Sequence, residues 1–130
     1  MKVLFVCKHN RFRSKVAEAF FKKYDRKDKV RSGGIIKDID ASKNVVKVLK
    51  GFKIKLKDKK SRKLENRGIE WADLIVIVAD NVSKSIFKGK KILVWKISDV
   101  SQNDIKGIKN RVNKIKKKVK GLIAKLNKKV

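Results

Sequence analysis

The hydrophobic positions of this chain fall into short unbroken runs and longer stripes of helical spacing. Residues 2–6 and 74–78 are almost wholly apolar, which predicts parallel strands buried on both faces, with 74–78 the best candidate for a central strand. Weaker runs near 29–32 and 91–95 predict two further strands. Together these runs predict one sheet of four strands.

Between these runs, apolar residues recur every three or four positions, as they do on one face of a helix. The stripes predict helices at 14–24, 41–50 and from 105 onward, and short helices near 61–68 and 81–88. Strands that alternate with helices indicate an α/β fold, here a doubly wound four-stranded parallel sheet with helices on both faces. The length of 130 residues suits one core, so 1–130 is predicted to form a single domain.

Residues 52–60 follow neither pattern, because apolar residues alternate there with lysines. A two-residue period suits an edge strand with one exposed face, and it suits an extended loop as well. Both interpretations remain open from the pattern alone.

The loop after the first strand carries the most informative residues. Cys7, the only cysteine, ends the strand, and Arg13 and Ser14 stand where the first helix begins. A strand, a tight loop and a helix N-terminus in that order form an anion-binding cradle, because the backbone N–H groups converge on one spot. Cys7 would supply a nucleophile there, and Arg13 a planar fork for two phosphate oxygens. The amides, the helix N-terminus and Arg13 all favour the thiolate.

A buried structural cysteine is the alternative interpretation of Cys7. The run that follows it argues against this, because most of its members are polar. They are Lys8, His9, Asn10, Arg11 and Phe12. We expect them to contribute mainly backbone N–H groups, with Asn10 adopting left-handed geometry that asparagine tolerates. His9 is the only histidine and has no partner ligands, so we expect neither a metal nor a cofactor.

These residues resemble those of a known family. The run Val3-Leu-Phe-Val-Cys7, together with Asn10, Arg13-Ser14 and Ala17-Glu-Ala19, is similar to the low-molecular-weight protein tyrosine phosphatases and to their sister group, the thioredoxin-coupled arsenate reductases. Later matches are Ser32-Gly-Gly34, the run 72–80 and Asp99. The resemblance covers nearly the whole chain and implies one phosphatase-like domain over 1–130, in which 52–60 is loop.

The resemblance also implies roles for these residues. Cys7 would attack phosphorus and form a phosphocysteine, with Arg13 stabilising the charge of the transition state. Ser14 would donate a hydrogen bond to the Cys7 sulfur, and Asn10 would fix the loop backbone.

A general acid is implied at Asp99, on a loop over the site. Asp104 is the competing carboxylate and the better candidate for the N-cap of the last helix. The family usually follows its acid with proline and then tyrosines that pack on the substrate ring, whereas Val100 and Ser101 follow here. Phosphotyrosine preference is therefore unsupported by this segment.

The leading hypothesis is a cysteine-dependent phosphomonoester hydrolase that acts on a phosphorylated protein, mainly phosphotyrosine, or on a small aryl phosphate. Lys8 and Arg11 would give its rim a charge suited to anionic substrates. Arsenate reduction is a second hypothesis, but it needs an external thiol because the chain has one cysteine. A non-catalytic polyanion-binding module is the third.

The formal net charge of +27 also needs an explanation. A nucleic-acid partner would account for it, but the lysines are spread along the chain and no nucleic-acid motif is present. A lysine-rich composition explains it better and predicts only weak, non-specific polyanion binding, strongest on the acid-free stretch 105–130. No apolar run approaches the ~18 residues of a membrane span, and no signal peptide is predicted. A lone thiol suits a reducing cytoplasm.

Overall fold

A computed structural model of the chain describes residues 1–128. Its strands are β1 (Lys2–Cys7), β2 (Lys29–Gly34), β3 (Leu74–Val78) and β4 (Ile92–Trp95). Its helices are α1 (Arg13–Tyr24), α2 (Lys43–Gly51), α3 (Asn66–Trp71) and α4 (Ile105–Lys128), with a 3₁₀ turn at Lys84–Phe87 before β4.

The strands form one parallel sheet in the order β2-β1-β3-β4. β1 and β3 occupy the centre, and the chain order reverses between them. Open α/β sheets bind their ligands at the carboxyl ends of the strands beside such a reversal. Cys7 stands at that end of β1, paired in register with Gly34 of β2. The topology confirms the predicted doubly wound parallel sheet.

Two hydrophobic cores lie on opposite faces of the sheet. On one face, α1, α2 and α4 pack against alternate residues of β1 and β3, with Phe5 edge-on to Phe21 at 5.8 Å between ring centroids. On the other face, Leu4 and Ile75 pack beneath Phe87 and the chain around α3. Because helices cover both faces, the strands can be apolar on both sides, as the unbroken runs predict.

The segment before β3 differs from its prediction. The helix expected at 61–68 is α3, which begins later, at Asn66, and contains Gly68 instead of ending there. Residues before it are extended, because Lys63 forms an isolated bridge with Gly34 of β2. Helical spacing could not reveal this, since backbone groups of the sheet edge hold the segment.

The alternating segment is a loop rather than an edge strand, as the family resemblance implies. Ile54 and Leu56 are buried in the core, while the lysines that alternate with them, Lys53, Lys55 and Lys57, are exposed. The two-residue period therefore reflects one buried face of an extended loop.

The terminal helix also needs a small correction. Its buried stripe begins at Ile108, whereas Ile105 is exposed. Residues 129–130 of the predicted helix lie outside the described part. None of the helices within residues 1–128 is both long enough and apolar enough to span a membrane.

Candidate active site

The loop between β1 and α1 folds around the sulfur of Cys7. Residues 8–12 make the whole turn, since α1 begins at Arg13. Asn10 has a φ of 50°, the left-handed geometry expected for it. The turn brings the Asn10 N–H to Cys7 Sγ, to which it donates a hydrogen bond over 3.3 Å. Phe12 is buried in the core and anchors the end of the loop.

Cys7 is buried, but its sulfur lies among polar groups. Ser14 Oγ lies 3.0 Å from Cys7 Sγ and accepts a hydrogen bond from Asn10 Nδ2 at 2.7 Å. That acceptance leaves the single hydroxyl hydrogen of Ser14 free to point at the sulfur. Phe12 is the N-cap of α1, and its side chain makes no capping hydrogen bond. An amide and a hydroxyl thus converge on Sγ, as a thiolate requires.

A second layer of hydrogen bonds holds Asn10. Its Nδ2 also donates to Ser32 Oγ at 3.0 Å, and Ser32 Oγ donates to Glu18 Oε1 at 2.9 Å. The Arg62 N–H donates to Asn10 Oδ1 at 2.9 Å. Asn10 is fully buried, so these partners satisfy an amide that would otherwise cost free energy to bury.

The outer side of the loop rests against Gly34 and Ser61. A Cβ at Gly34 would lie 2.8 Å from both the Asn10 nitrogen and the His9 carbonyl carbon, so only glycine permits this approach. Ser61 Oγ donates to the His9 carbonyl at 2.6 Å. The loop is therefore fixed from two directions.

Arg13 closes the loop from the side of β3 and β4. Its side chain is 2% exposed. Nη1 donates to the Ile97 carbonyl at 2.8 Å, and Nη2 donates to Asn81 Oδ1 at 3.3 Å. A guanidinium has five N–H donors in a fixed fork, so these two bonds leave others for an oxyanion in the loop.

Two carboxylates flank this guanidinium. Asp80 Oδ1 lies 3.6 Å from Arg13 Nη1, and Asp99 Oδ2 lies 4.0 Å from Arg13 Nη2. Asp99 is 49% exposed, so its carboxylate stands at the mouth of the site. Asp104 instead accepts the Gly107 N–H at 2.9 Å and caps α4. Of the two carboxylates that are candidates for the general acid, Asp99 lies beside Arg13 and Asp104 does not.

The rim is formed by Lys8, His9 and Arg11, all partly exposed. Arg11 Nε and Nη2 both donate to the Asp40 carbonyl at 3.3 Å. His9 Nδ1 lies 3.2 Å from Asp38 Oδ2. The segment after β2 therefore lies beside the rim, where Asp38 and Asp40 restrain the side chains of His9 and Arg11.

Lys15 is a buried amine next to the loop. It is 1% exposed, and its Nζ has no hydrogen-bond partner but lies 3.7 Å from Asp58 Oδ2. Burial lowers the pKa of Lys15, and the Asp58 carboxylate opposes that change. Asp58 Oδ2 also accepts a hydrogen bond from Arg62 Nε at 2.8 Å. Burial raises the pKa of Asp58, but its contacts, Arg62 and Lys15 among them, outweigh burial and hold that pKa below its usual value.

Several residues of the site are not predicted from the sequence to act there. Asp80 and Asn81 lie just past the end of β3, and the rule that ligands meet the carboxyl ends of central strands could have pointed to them. Ser61 and Arg62 carried no signal, since they fell inside a predicted helix. Within residues 1–128, no group of three or more histidine, cysteine, aspartate or glutamate side chains is placed to hold a metal ion.

A parallel doubly wound sheet whose first strand delivers a cysteine into such a loop, with an arginine at the start of the next helix, is typical of the cysteine-based phosphatase family. The family model described as low molecular weight phosphotyrosine protein phosphatase matches residues 2–130. The chain belongs to this family, which confirms the resemblance seen in the sequence.

Solved structures agree with this assignment. YwlE arginine phosphatase from Geobacillus stearothermophilus superposes with a TM-score of 0.88 at 23% identity, over 98% of this chain and 94% of that chain. Low molecular weight protein tyrosine phosphatase from T. tengcongensis gives 0.84 at 25% identity, over 96% and 99%. Arsenate reductase from Archaeoglobus fulgidus DSM 4304 gives 0.81 at 27% identity, over 94% and 98%. No curated protein matches the chain.

Proposed function

We propose that the protein is a phosphomonoester hydrolase that works through a phosphocysteine at Cys7. The observation that carries the proposal is the position of Cys7 Sγ, 3.0 Å from Ser14 Oγ and 3.3 Å from the Asn10 N–H, within a loop that ends at Arg13. A sulfur so placed is an activated nucleophile beside a ready-made oxyanion site.

In the first step, the Cys7 thiolate attacks phosphorus in line, and the bond from phosphorus to the leaving oxygen breaks. The loop amides and the free N–H groups of Arg13 hold the equatorial oxygens, whose charge is greatest in the transition state. Asp99, at the mouth, gives its proton to the leaving oxygen. The products are an alcohol or phenol and a phosphocysteine.

In the second step, water attacks the phosphocysteine and Asp99 takes its proton. The S–P bond breaks, inorganic phosphate leaves and the thiolate is restored. Ser14 assists, because its hydroxyl hydrogen stabilises the charge that returns to sulfur, and Asn10 keeps that hydroxyl oriented.

The proposed substrates are phosphotyrosine in proteins and small aryl phosphates. The relative from T. tengcongensis, a protein tyrosine phosphatase at 25% identity, supports this choice. Lys8 and Arg11 at the rim favour substrates with further negative charge near the phosphate, and Val100 offers the ring less surface than a tyrosine would.

The proposal is tested by hydrolysis of para-nitrophenyl phosphate across pH with wild type and Cys7→Ser. The variant should lose more than about 10³-fold in kcat, because a serine hydroxyl is a far poorer nucleophile at its free pKa. Phosphate should still raise its melting temperature, which shows that the loop is intact. Turnover within tenfold of wild type would refute the covalent mechanism, and phosphate binding without wild-type turnover would favour a binding module.

Arsenate reduction is a second candidate because the relative from Archaeoglobus fulgidus is an arsenate reductase at 27% identity. The Cys7 thiolate would displace water from arsenate, and an external thiol would then attack sulfur. Arsenite leaves as arsenic is reduced by two electrons and the two thiols become a disulfide. Consumption of added thiol that depends on arsenate, in the absence of phosphatase activity, would select this candidate.

A further inference from the structure

β2 lies at the edge of the sheet, and much of its outer side has no backbone partner. The Gly34 N–H and C=O face outward, where they bond to the Arg62 carbonyl and the Leu64 N–H, each at 2.8 Å. Alternate residues of a parallel strand point their backbone groups at the same neighbour. The N–H and C=O groups of Val30 and Ser32 therefore face outward too, and no backbone group within residues 1–128 bonds to them there.

A groove follows this open edge. A hollow of about 950 Å³ lies beside Ser32 and Gly33, and another of about 430 Å³ lies beside Lys29 and Val30. Arg31 lines both hollows, so they lie next to each other along the strand. The Arg31 guanidinium lies 4.3 Å from the Trp71 ring centroid, which keeps the side chain extended on one face of the edge.

The groove carries unpaired positive charge. Six of its basic side chains form no ion pair within the described residues: Arg26, Lys29, Arg31, Lys37, Lys60 and Lys63. Five carboxylates also line it: Asp28 binds the N-terminal amine at 2.7 Å, Glu65 pairs with Arg67 at 3.3 Å, and Asp38 lies 3.2 Å from His9 Nδ1. Asp25 and Asp40 form no ion pair within the described residues, so unpaired cations still outnumber unpaired carboxylates. An incoming carboxylate would find cations without a counter-charge.

We propose that the outer edge of β2 binds an extended acidic segment of a partner protein by strand addition. Backbone groups of the segment pair with Val30 and Ser32, and its carboxylates lie against Lys29, Arg31 and Lys63. Main-chain hydrogen bonds give such complexes their affinity and the flanking side chains their selectivity. A second copy of this chain is a poor occupant, because it carries +27 and a lysine-lined edge repels it.

The probe is a short labelled peptide that alternates glutamate with valine, followed by fluorescence anisotropy. A second peptide has the same sequence and charge but N-methyl groups on alternate amides, so it cannot pair along one edge. The unmodified peptide should bind about tenfold more tightly, as expected for loss of one or two hydrogen bonds. Equal affinities would show that charge alone acts and would overturn strand addition.

Pairs of matched protein variants test whether the peptide binds at the outer edge of β2. Val30→Pro removes the outward N–H without removing a bond to β1, a change that edge strands tolerate, whereas Val30→Ala keeps the N–H. Only Val30→Pro should weaken binding about tenfold. Arg31→Glu should weaken it more than Lys109→Glu, which makes the same charge change on the exposed side of α4. Equal effects within either pair would contradict the proposal.

Amide hydrogen exchange of the wild type with the peptide locates the contact. Protection should rise at Val30 and Ser32 and stay constant at Arg31, whose N–H already faces β1. Protection of these amides without peptide, together with a dimer in sedimentation, would assign the edge to a second copy instead. Because binding is measured without turnover, these results stand apart from the outcome of the phosphatase assays.

Discussion

The side chains that surround Arg13 in the proposed mechanism come both from its own motif and from distant parts of the chain. Cys7, Asn10 and Ser14 lie in one short motif, so the sequence identifies them together. Asp80 and Asn81 reach the same guanidinium from a loop far along the chain, and only the sheet order brings them there. The residues of the motif are therefore predictable together, whereas among the distant residues that the fold brings to Arg13 the family resemblance predicts a role only for Asp99.

Asp99→Asn should lower kcat by roughly 10²–10³, because general acid–base catalysis contributes that much. The loss should be smaller for aryl phosphates whose leaving group needs no proton. Asp104→Asn should change little, since asparagine also caps a helix. Asp80→Asn is the informative control, as its carboxylate is also within 4 Å of Arg13. If Asp80→Asn instead of Asp99→Asn shows the dependence on leaving group, the acid is Asp80.

Lys15→Met should raise the melting temperature at neutral pH by a few degrees. The variant replaces a buried amine by an apolar chain of similar volume, while Asp58 keeps Arg62 at 2.8 Å. Lys22→Met, at an exposed position of the same helix, should be nearly neutral. A lower melting temperature for Lys15→Met would mean that the attraction to Asp58 outweighs the cost of burial.

The same variant has a predictable pH dependence. In the folded protein the pKa of Lys15 is below the ordinary value of 10.5, so the unfolded chain binds this proton more tightly. The loss of folding stability from burying the charged amine is therefore complete at pH values below the lowered pKa. It disappears as the pH rises from that pKa to 10.5, because the amine becomes neutral in both states. Urea unfolding at rising pH should therefore show the wild type approaching Lys15→Met. If the free energies of unfolding of the two proteins differ by the same amount at every pH, the gain in Lys15→Met comes from packing rather than from removing the charge.

At the scale of elements, the regular repeats are the most predictable. The run at 74–78 is β3 over its whole length, and α4 follows its predicted stripe from Ile108 onward. The predicted start of α3 is wrong for a physical reason. Residues 61–65 are fixed by backbone hydrogen bonds to Gly34 and by the bond from Ser61 to the His9 carbonyl, and neither contact leaves a periodic pattern in the sequence. Segments whose conformation depends on distant backbone groups carry no local pattern.

The close approach of β2 to the loop between β1 and α1 gives a test at this scale. Gly34→Ala would place a methyl group 2.8 Å from two backbone atoms of the loop, so the loop must move. We expect kcat/KM to fall about 10²-fold, as for misplacement of catalytic groups by about 1 Å. Gly51→Ala is the matched control, because nothing lies within 4 Å of its new Cβ. Equal activity of the two variants would show that the loop tolerates displacement.

For the whole molecule, the excess of lysine is a property of the surface rather than of one patch. The outer face of α4 is basic, and the same is true of the groove along β2. Such a distribution attracts polyanions without specifying a register on them. It would also raise the local concentration of small anions near Cys7.

Binding to duplex DNA should therefore be weak, independent of sequence, and lost between ~50 and ~200 mM salt. Titration of a labelled duplex at several salt concentrations gives both the affinity and the number of phosphates contacted. Submicromolar binding near physiological salt would show that the charge serves nucleic-acid recognition.

The central position of β1 has a consequence for how the molecule opens. Both edges of β1 are bonded, to β2 and to β3, so its amides are released only when the sheet itself comes apart. Fraying of β4 or of the free side of β2 leaves the backbone beneath Cys7 in place. Native-state exchange under mild denaturant should group the β1 amides with the slowest unit, so the strand that carries Cys7 should stay paired until global unfolding.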